Sequence, residues 1–409
     1  MKYQLMRDTF GGSETLKKYV ERFVEETDES FDYRLRNLTM QNYLRRTIKN
    51  AIGLIFRKDV QYNFAGNSNN IEPDTIFTEQ NNSILRELTK ELLLLGSSYL
   101  VTDNDTNEVY QYIVPTDTVE EYFEQNNEVL LFTYVTNIEE LDDWVPVVRE
   151  YRYRWKLKDG LAIVEIEIDN ELFEIKETGL NYIPVVKFSI GGNTLLSQSE
   201  GNTLLSQSGS NIPLLDLAKL NIEWVNRRSE LSRYLRIAAC PVPTFYGVEG
   251  QTKIVVGVDK ALSFTDKDTG GFEWVEMSGS STELLQNDLR QLENAMMDTA
   301  ISLVSKRDVA KNAVQISAEI AEDESFLTTV SKVLEDGFNK SLIFYCDMLN
   351  IEQIIAIVNK DFTSTIISLD EINVLIELLN SGTINQEQMM EMLVSGEFIP
   401  QSVANTTDQ

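Results

Sequence analysis

Residues 212–243 read IPLLDLAKLNIEWVNRRSELSRYLRIAACPVP, and their spacing decides the architecture. Leu214, Leu217, Ala218, Ile222, Val225, Leu231, Tyr234, Leu235 and Ala238 fall near one side of a helix of 3.6-residue period. One long helix is expected over 212–239. Pro241 and Pro243 end it, because proline lacks the backbone donor and clashes with the preceding turn. At about 1.5 Å per residue the helix is a rod of roughly 42 Å. Short strands follow at 244–246, 253–258, 262–265 and 272–277, parted by Glu249-Gly250 and by 268–271. A second long helix is expected over 280–305. It opens on Ser280-Ser281-Thr282-Glu283, a capping box in which hydroxyl and carboxylate satisfy reciprocal backbone donors. Its apolar positions Leu285, Leu289, Leu292, Met296, Ala300 and Leu303 step by three or four.

Working outward, the first sixty residues read as two amphipathic helices. One starts after Phe10-Gly11-Gly12 with Ser13 as N-cap, and the other runs from about Phe31 to Phe56. Arg34, Arg36, Arg45, Arg46 and Lys49 on the second suit a solvated face beside acidic neighbours, with direct DNA contact as the rival reading. Residues 84–95 read as a helix, and Ser97–Asp103 with Val109–Pro115 as a hairpin. Strands follow at 129–135, 145–157, 161–168 and 172–177, with turns at Asp159-Gly160 and Asp169-Asn170. Tyr182–Ile190 closes this α+β block as a buried strand. The stretch from Gly192 to Ser199 recurs from Gly201 to Ser208, and two copies make a lengthened loop or a partner-binding arm rather than a solenoid. After a short basic segment, 305–312, helical spacing resumes over 313–349 with Gly337 as a bend. Helices at 370–379 and 386–394 end the chain, and 401–409 is expected to fray.

Composition narrows the chemistry. The 409 residues exceed one ordinary hydrophobic core, and 42% hydrophobic residues suffice for a folded interior. Lys and Arg number 36 against 65 Asp and Glu, a net charge of −29 that repels phosphate, so any nucleic-acid contact must be local. Histidine is absent, which removes Ser-His-Asp and Cys-His nucleophile systems and His-containing zinc sites. Cys240 and Cys346 are far apart in apolar contexts and are expected to be buried thiols. The first residues carry no apolar leader core, and Leu92–Leu95 and Ile354–Val358 are too short to cross a bilayer, so a chain made in a cytosol with no membrane partner is expected. No phosphate loop or metal-ligand spacing is visible, and no cofactor is expected.

The order of elements, and several phrases with it, resembles the portal proteins of tailed bacteriophages. The phrases are Gly11-Gly12-Ser13-Glu14-Thr15 with Tyr19, Ile52-Gly53-Leu54-Ile55-Phe56-Arg57-Lys58, Ile183-Pro184-Val185-Val186, and Ile212-Pro213-Leu214-Leu215-Asp216-Leu217-Ala218. The resemblance implies an α+β portal fold with an α/β wing (1–208), stem helices (209–240 and 280–305) and a small β-rich clip (241–279). A tunnel loop (306–312), a return helix (313–350) and a short helical crown (351–409) complete it. It implies a non-enzymatic, virion-located homo-oligomer, made in the host bacterial cytoplasm, of twelve subunits at one capsid vertex. Its partners would be the major capsid protein, terminase during packaging, head-completion or adaptor proteins, and double-stranded DNA passing through the ring. A head-tail adaptor and, more remotely, a carboxylate-dependent hydrolase are the alternatives.

Site residues follow from that resemblance. Lys306, Arg307 and Lys311 would meet DNA, or else form intersubunit salt bridges or face solvent. Asp288, Glu293 and Asp298 would line the channel, or else be ordinary solvated or intersubunit charges. Arg227, Arg228, Arg233 and Arg236 would pair with acids of the adjacent subunit, with a solvated face as the rival. Phe245, Tyr246, Phe272 and Trp274 would sit on clip strands open to a neighbouring chain, or else pack the insert's own core.

Overall fold

The computed structural model describes residues 2–24, 26–64, 75–105, 108–142, 144–190, 212–238, 242–246, 271–275, 280–304, 326–360 and 362. Two compact units divide the chain, Met1–Val358 and Asn359–Gln409, and the described elements belong to the first. It mixes helix and strand, as expected.

The helical part of the N-terminal region is α1 (Lys2–Gly11), α2 (Ser13–Leu16), α3 (Asp28–Arg36), α4 (Tyr43–Ile55) and α5 (Thr75–Leu95). This differs from the two expected helices. Gly12, at φ 105°, occupies a backbone region that side chains rarely adopt, so it separates α1 from α2, and Ser13 is the first residue of α2 rather than its cap. The stretch 31–56 is broken between α3 and α4. Thr27 caps α3 by accepting from the Ser30 amide, and Asn42 caps α4 by accepting from the Arg45 amide. Leu85, Leu88, Leu92 and Leu95 form a buried stripe on α5 that packs beside α4.

Two antiparallel sheets follow. The first has the order β3-β2-β9, from β2 (Ser97–Asp105), β3 (Glu108–Pro115) and β9 (Val185–Ser189). The second is a meander of β4 (Val119–Gln125), β5 (Glu128–Asp142), β6 (Val145–Lys158), β7 (Leu161–Ile168) and β8 (Glu171–Glu177). Asn126-Asn127, Asp159-Gly160 and Asp169-Asn170 join its strands with φ between 50° and 81° at both positions, the signature of two-residue hairpin turns that match strand twist. Alternation sets the faces. Phe132, Tyr134, Trp155 and Val164 point to a core shared with Tyr99, Val101, Val114 and Val185 of the first sheet. The opposite face is a charge lattice: Arg152 reaches Glu120 at 2.9 Å and Glu167 at 3.3 Å, Arg154 reaches Glu167 at 3.3 Å, and Lys156 reaches Glu165 at 2.5 Å. Partly exposed pairs of this kind add little stability, but a one-residue slip would invert both faces, so together they pin the register.

The rest is α6 (Leu215–Ala238), a strand pair β10 (Val242–Tyr246) with β11 (Gly271–Val275), α7 (Ser280–Val304), α8 (Phe326–Leu349) and β12 (Ile354–Ile357). The segment 354–357, expected within a helical end, is instead a strand paired antiparallel to β1 (Gln61–Phe64). Asn339 of α8 fixes it by donating to the Ala356 carbonyl at 2.9 Å and accepting from its amide at 2.7 Å. The expected strands at 253–258 and 262–265, the repeat at 192–209 and the helices beyond 363 lie outside the described residues.

Gly337 does not end or divide α8. A Cβ there would lie 2.4 Å from Cε1 of Phe188, so glycine admits the ring of β9 against the helix. Alanine raises helix propensity by about 1 kcal/mol, yet its Cβ would overlap the buried Phe188 ring, which would have to shift. Gly337→Ala is therefore expected to be destabilising by about 1–3 kcal/mol. Urea unfolding should show a lower midpoint, partly restored when Phe188→Leu is added.

Candidate functional site

Helix α6 is the element on which the charged and aromatic candidates converge. Its first two thirds are held by the N-terminal region. Leu217, Ala218, Trp224, Val225 and Leu231 are buried, whereas Leu235 and Arg236 are exposed. Asn221, fully buried, donates to the Gln41 carbonyl at 2.9 Å and accepts from the Leu44 amide. One turn on, Asn226 accepts from the Glu21 amide at 3.0 Å and donates to the Tyr19 carbonyl. Tyr19 in turn donates to Asp8 at 2.8 Å, and Thr15 bonds the Asp8 carbonyl. The Gly-Gly-Ser-Glu-Thr phrase and its tyrosine thus form a local knot moored to α6.

At the centre of this mooring lies an ion pair. Arg34 donates to Glu26 at 2.7 and 2.5 Å, to Ser229 of α6 at 3.0 Å and to the Glu21 carbonyl at 2.8 Å. Its guanidinium lies 4.3 Å from the Phe23 ring centroid and 5.4 Å from that of Phe31. Side-chain exposure is 4% for Arg34 and 0% for Glu26. Arg34 was expected on a solvated face, and so was Arg45, which instead donates to the carbonyls of Phe10 and Gly11 at the end of α1. Arginine suits both places because its planar fork satisfies several acceptors at once.

Helices α6 and α7 run antiparallel as a pair. Arg227 meets Asp288 at 3.1 Å, and the indole of Trp224 donates to Glu293 at 3.0 Å, so earlier residues of α6 face later ones of α7. Asp288 and Glu293 therefore engage α6 of their own chain, and Asp298 is the exposed member of the expected acidic trio. Leu289 and Met296 are the buried members of the α7 stripe. Arg227 also bonds Glu230 at 3.3 Å. Arg233 lies 5.0 Å from the Phe23 centroid and Arg236 3.9 Å from that of Tyr33, so both hold aromatic rings of their own chain. Among the described residues no hydrogen bond or ion pair engages Arg228.

Between α3 and α6 opens a cleft of about 720 Å³. Arg34, Arg36, Arg228, Arg233 and Arg236 line it, with Glu29 the only acid on its wall among the described residues. In a chain of net charge −29 this is a concentrated positive surface. Periodicity alone did not reveal it, because its arginines come from two helices far apart in sequence, α3 and α6. The doublet Arg227-Arg228 and the Arg233/Arg236 spacing were the available signal.

The remaining candidates are less defined. Phe245 stands opposite Phe272 and Pro243 opposite Trp274 in the β10–β11 register, and Tyr246 stands opposite Gly271; for these strands the backbone alone is described. Pro243 lies beyond the end of α6, as expected, and sits within β10. Lys306, Arg307 and Lys311 lie outside the described residues, as does Cys240. Cys346 is buried and free, and burial pushes its thiol pKa up. Among the described residues no group of three or more Cys, Asp or Glu stands ready to hold a metal ion, and no helix is long and apolar enough to cross a membrane.

A family model described as a domain of unknown function, DUF4055, matches residues 213–348, from the start of α6 to the end of α8. No curated protein matches the chain. Among solved structures, a chain of the virion of the native gene transfer agent (GTA) particle is similar at 12% identity, over 91% of this chain and 95% of that one, with a TM-score of 0.43.

The mooring generates two predictions. Removing one partner of a buried ion pair strands the other, so Arg34→Met or Glu26→Gln should be destabilising by about 3–5 kcal/mol in urea unfolding. Arg34 holds the Glu26 carboxyl below its ordinary pKa. At Asp8 burial pushes upward, but Lys18, Tyr19 and Gln4 outweigh it and the pKa is again lowered. Both folded-state values lie below the unfolded ones, so this stability is fully present above the unfolded carboxylate range near pH 4 and is lost as pH falls through the folded values. A stability profile across that acidic window should fall steeply for the native chain and less steeply for Glu26→Gln.

Proposed function

We propose that this chain is a structural subunit of a virion and, within it, the portal: a ring at one capsid vertex through which double-stranded DNA passes. The observation that carries the reading is the antiparallel α6–α7 pair, closed at one end by the β10–β11 strands and moored at the other to an α+β body. That order, together with the phrases quoted from the sequence, is what resembles the tailed-phage portals. In this reading α6 and α7 are the stem, β10–β11 belongs to the clip, and the two sheets with α1–α5 and α8 are the wing. The role is non-enzymatic and needs no cofactor.

The charge fits the task. A conduit must hold a duplex without adhering to it, and copies each bearing −29 around an axis repel the phosphate backbone so that it slides. Of Asp288, Glu293 and Asp298, Asp298 is then the one most available to the bore. Lys306, Arg307 and Lys311 follow the end of α7 in sequence, where a short constricting segment touches phosphate at few points. Capsid protein, terminase and head-completion or adaptor proteins are the partners this role requires.

Native mass measurement tests the reading: assemblies near twelve subunits support it, and a monomer at every concentration contradicts it. Lys306→Ala/Arg307→Ala/Lys311→Ala should keep the assembly mass yet alter DNA packaging or retention. Unchanged packaging would remove those residues from DNA contact.

A further inference from the structure

The β5–β6 hairpin outgrows its sheet. β4 pairs with β5 only over Glu128–Tyr134, and β7 pairs with β6 only over Tyr151–Lys158. Residues 137–142 and 145–150 therefore extend as a two-stranded ribbon that, apart from Glu150 bonding Asp169 at its base, is paired only to itself. Isolated ribbons of this kind are marginal in water. This one is also apolar at its end: Leu141 is 72% exposed, Trp144 92%, Val145 59% and Val148 66%. The sequence there, Glu139-Glu140-Leu141-Asp142-Asp143-Trp144, surrounds the apolar residues with acids, and Arg149 offsets one of them by pairing with Glu140. Nothing in the described chain covers the tip.

The arginine cleft is its chemical complement. It is positive where the tip is negative, and it already holds aromatic rings against guanidinium groups, as Arg236 does with Tyr33. Indole is the best ring for that contact, and Trp and Arg are the residues that most often anchor interfaces. A fully exposed indole among acids and an open arginine cleft on one acidic chain leave two unpartnered surfaces of opposite sign.

The geometry points to a head-to-tail contact in which the β5–β6 tip of one copy seats in the α3–α6 arginine cleft of the next. Tip and cleft are different surfaces, so the contact is heterologous and propagates from copy to copy until rotation closes it. The inference rests on the ring reading and supplies the joint that reading needs.

Two variants and their mixture test it. Leu141→Ser/Trp144→Asp spoils the tip, and Arg228→Glu/Arg236→Glu spoils the cleft, each leaving the other surface intact. Mass photometry of the native chain should give rings, and each variant alone should give monomers. The equimolar mixture should give heterodimers and nothing larger, since only one competent tip and one competent cleft remain between the two chains. Urea midpoints matching the native chain certify both variants as folded. Should the charge reversal unfold the cleft, Arg228→Gln/Arg236→Gln carries the same test, with a loss of assembly expected. Rings formed by either folded variant, or a mixture that stays monomeric, overturn the joint while the ring reading stands. A monomeric native chain overturns both.

Discussion

One buried ion pair fixes how the rest of the molecule is arranged. Glu26 and Arg34 are drawn out of water between α3 and α6, and the guanidinium spends its donors on a carboxylate, a backbone carbonyl and Ser229 of α6. Desolvating two charges is costly, so the pair is poor evidence for stability in itself. What it supplies is position. With Asn221 and Asn226 it makes the N-terminal region follow α6, and α7 follows α6 through Arg227–Asp288 and Trp224–Glu293.

The two sheets solve a different problem. Their shared face is packed with tyrosine, phenylalanine and tryptophan; the other face of the meander carries interleaved arginine, lysine and glutamate, and the other face of the three-stranded sheet packs on α5 and α8. The meander still keeps an acid excess, with 16 Asp and Glu against 6 Lys and Arg over 119–177. In the portal reading, the acid excess repels DNA while the arginine cleft between α3 and α6 is kept for contact between copies.

Much of the fold was legible in the sequence where a single element carries its own period. The spans of α6 and α7, the β2–β3 hairpin, the first half of β5 and strands β6 to β8 follow from helical or alternating spacing and from Asp-Gly and Asp-Asn turns, whereas β5 runs on past the expected 135 to Asp142. The misses have tertiary causes. β4 and its Asn126-Asn127 turn lie in a glutamate-rich stretch whose alternation is weak, and β12 is a short apolar run that needs β1 to become a strand. Gly337 resembles a bend until Phe188, from a distant strand, occupies the space. Arg34 looks like any solvated cation, because its burial is completed by Phe23, Glu26 and Ser229, which lie outside α3. The cleft was missed for the same reason: its charge is dispersed in sequence and gathered only by the α3–α6 contact.

Everything proposed for function reduces to copies standing around an axis with their α6–α7 rods enclosing a hole. Electron microscopy of the purified chain, averaged in end-on views, measures this directly. The account predicts annular particles with a central perforation wide enough for a duplex and the paired rods forming its wall. Compact particles with no perforation under any buffer, or rings whose rods lie on the outer rim, would contradict it.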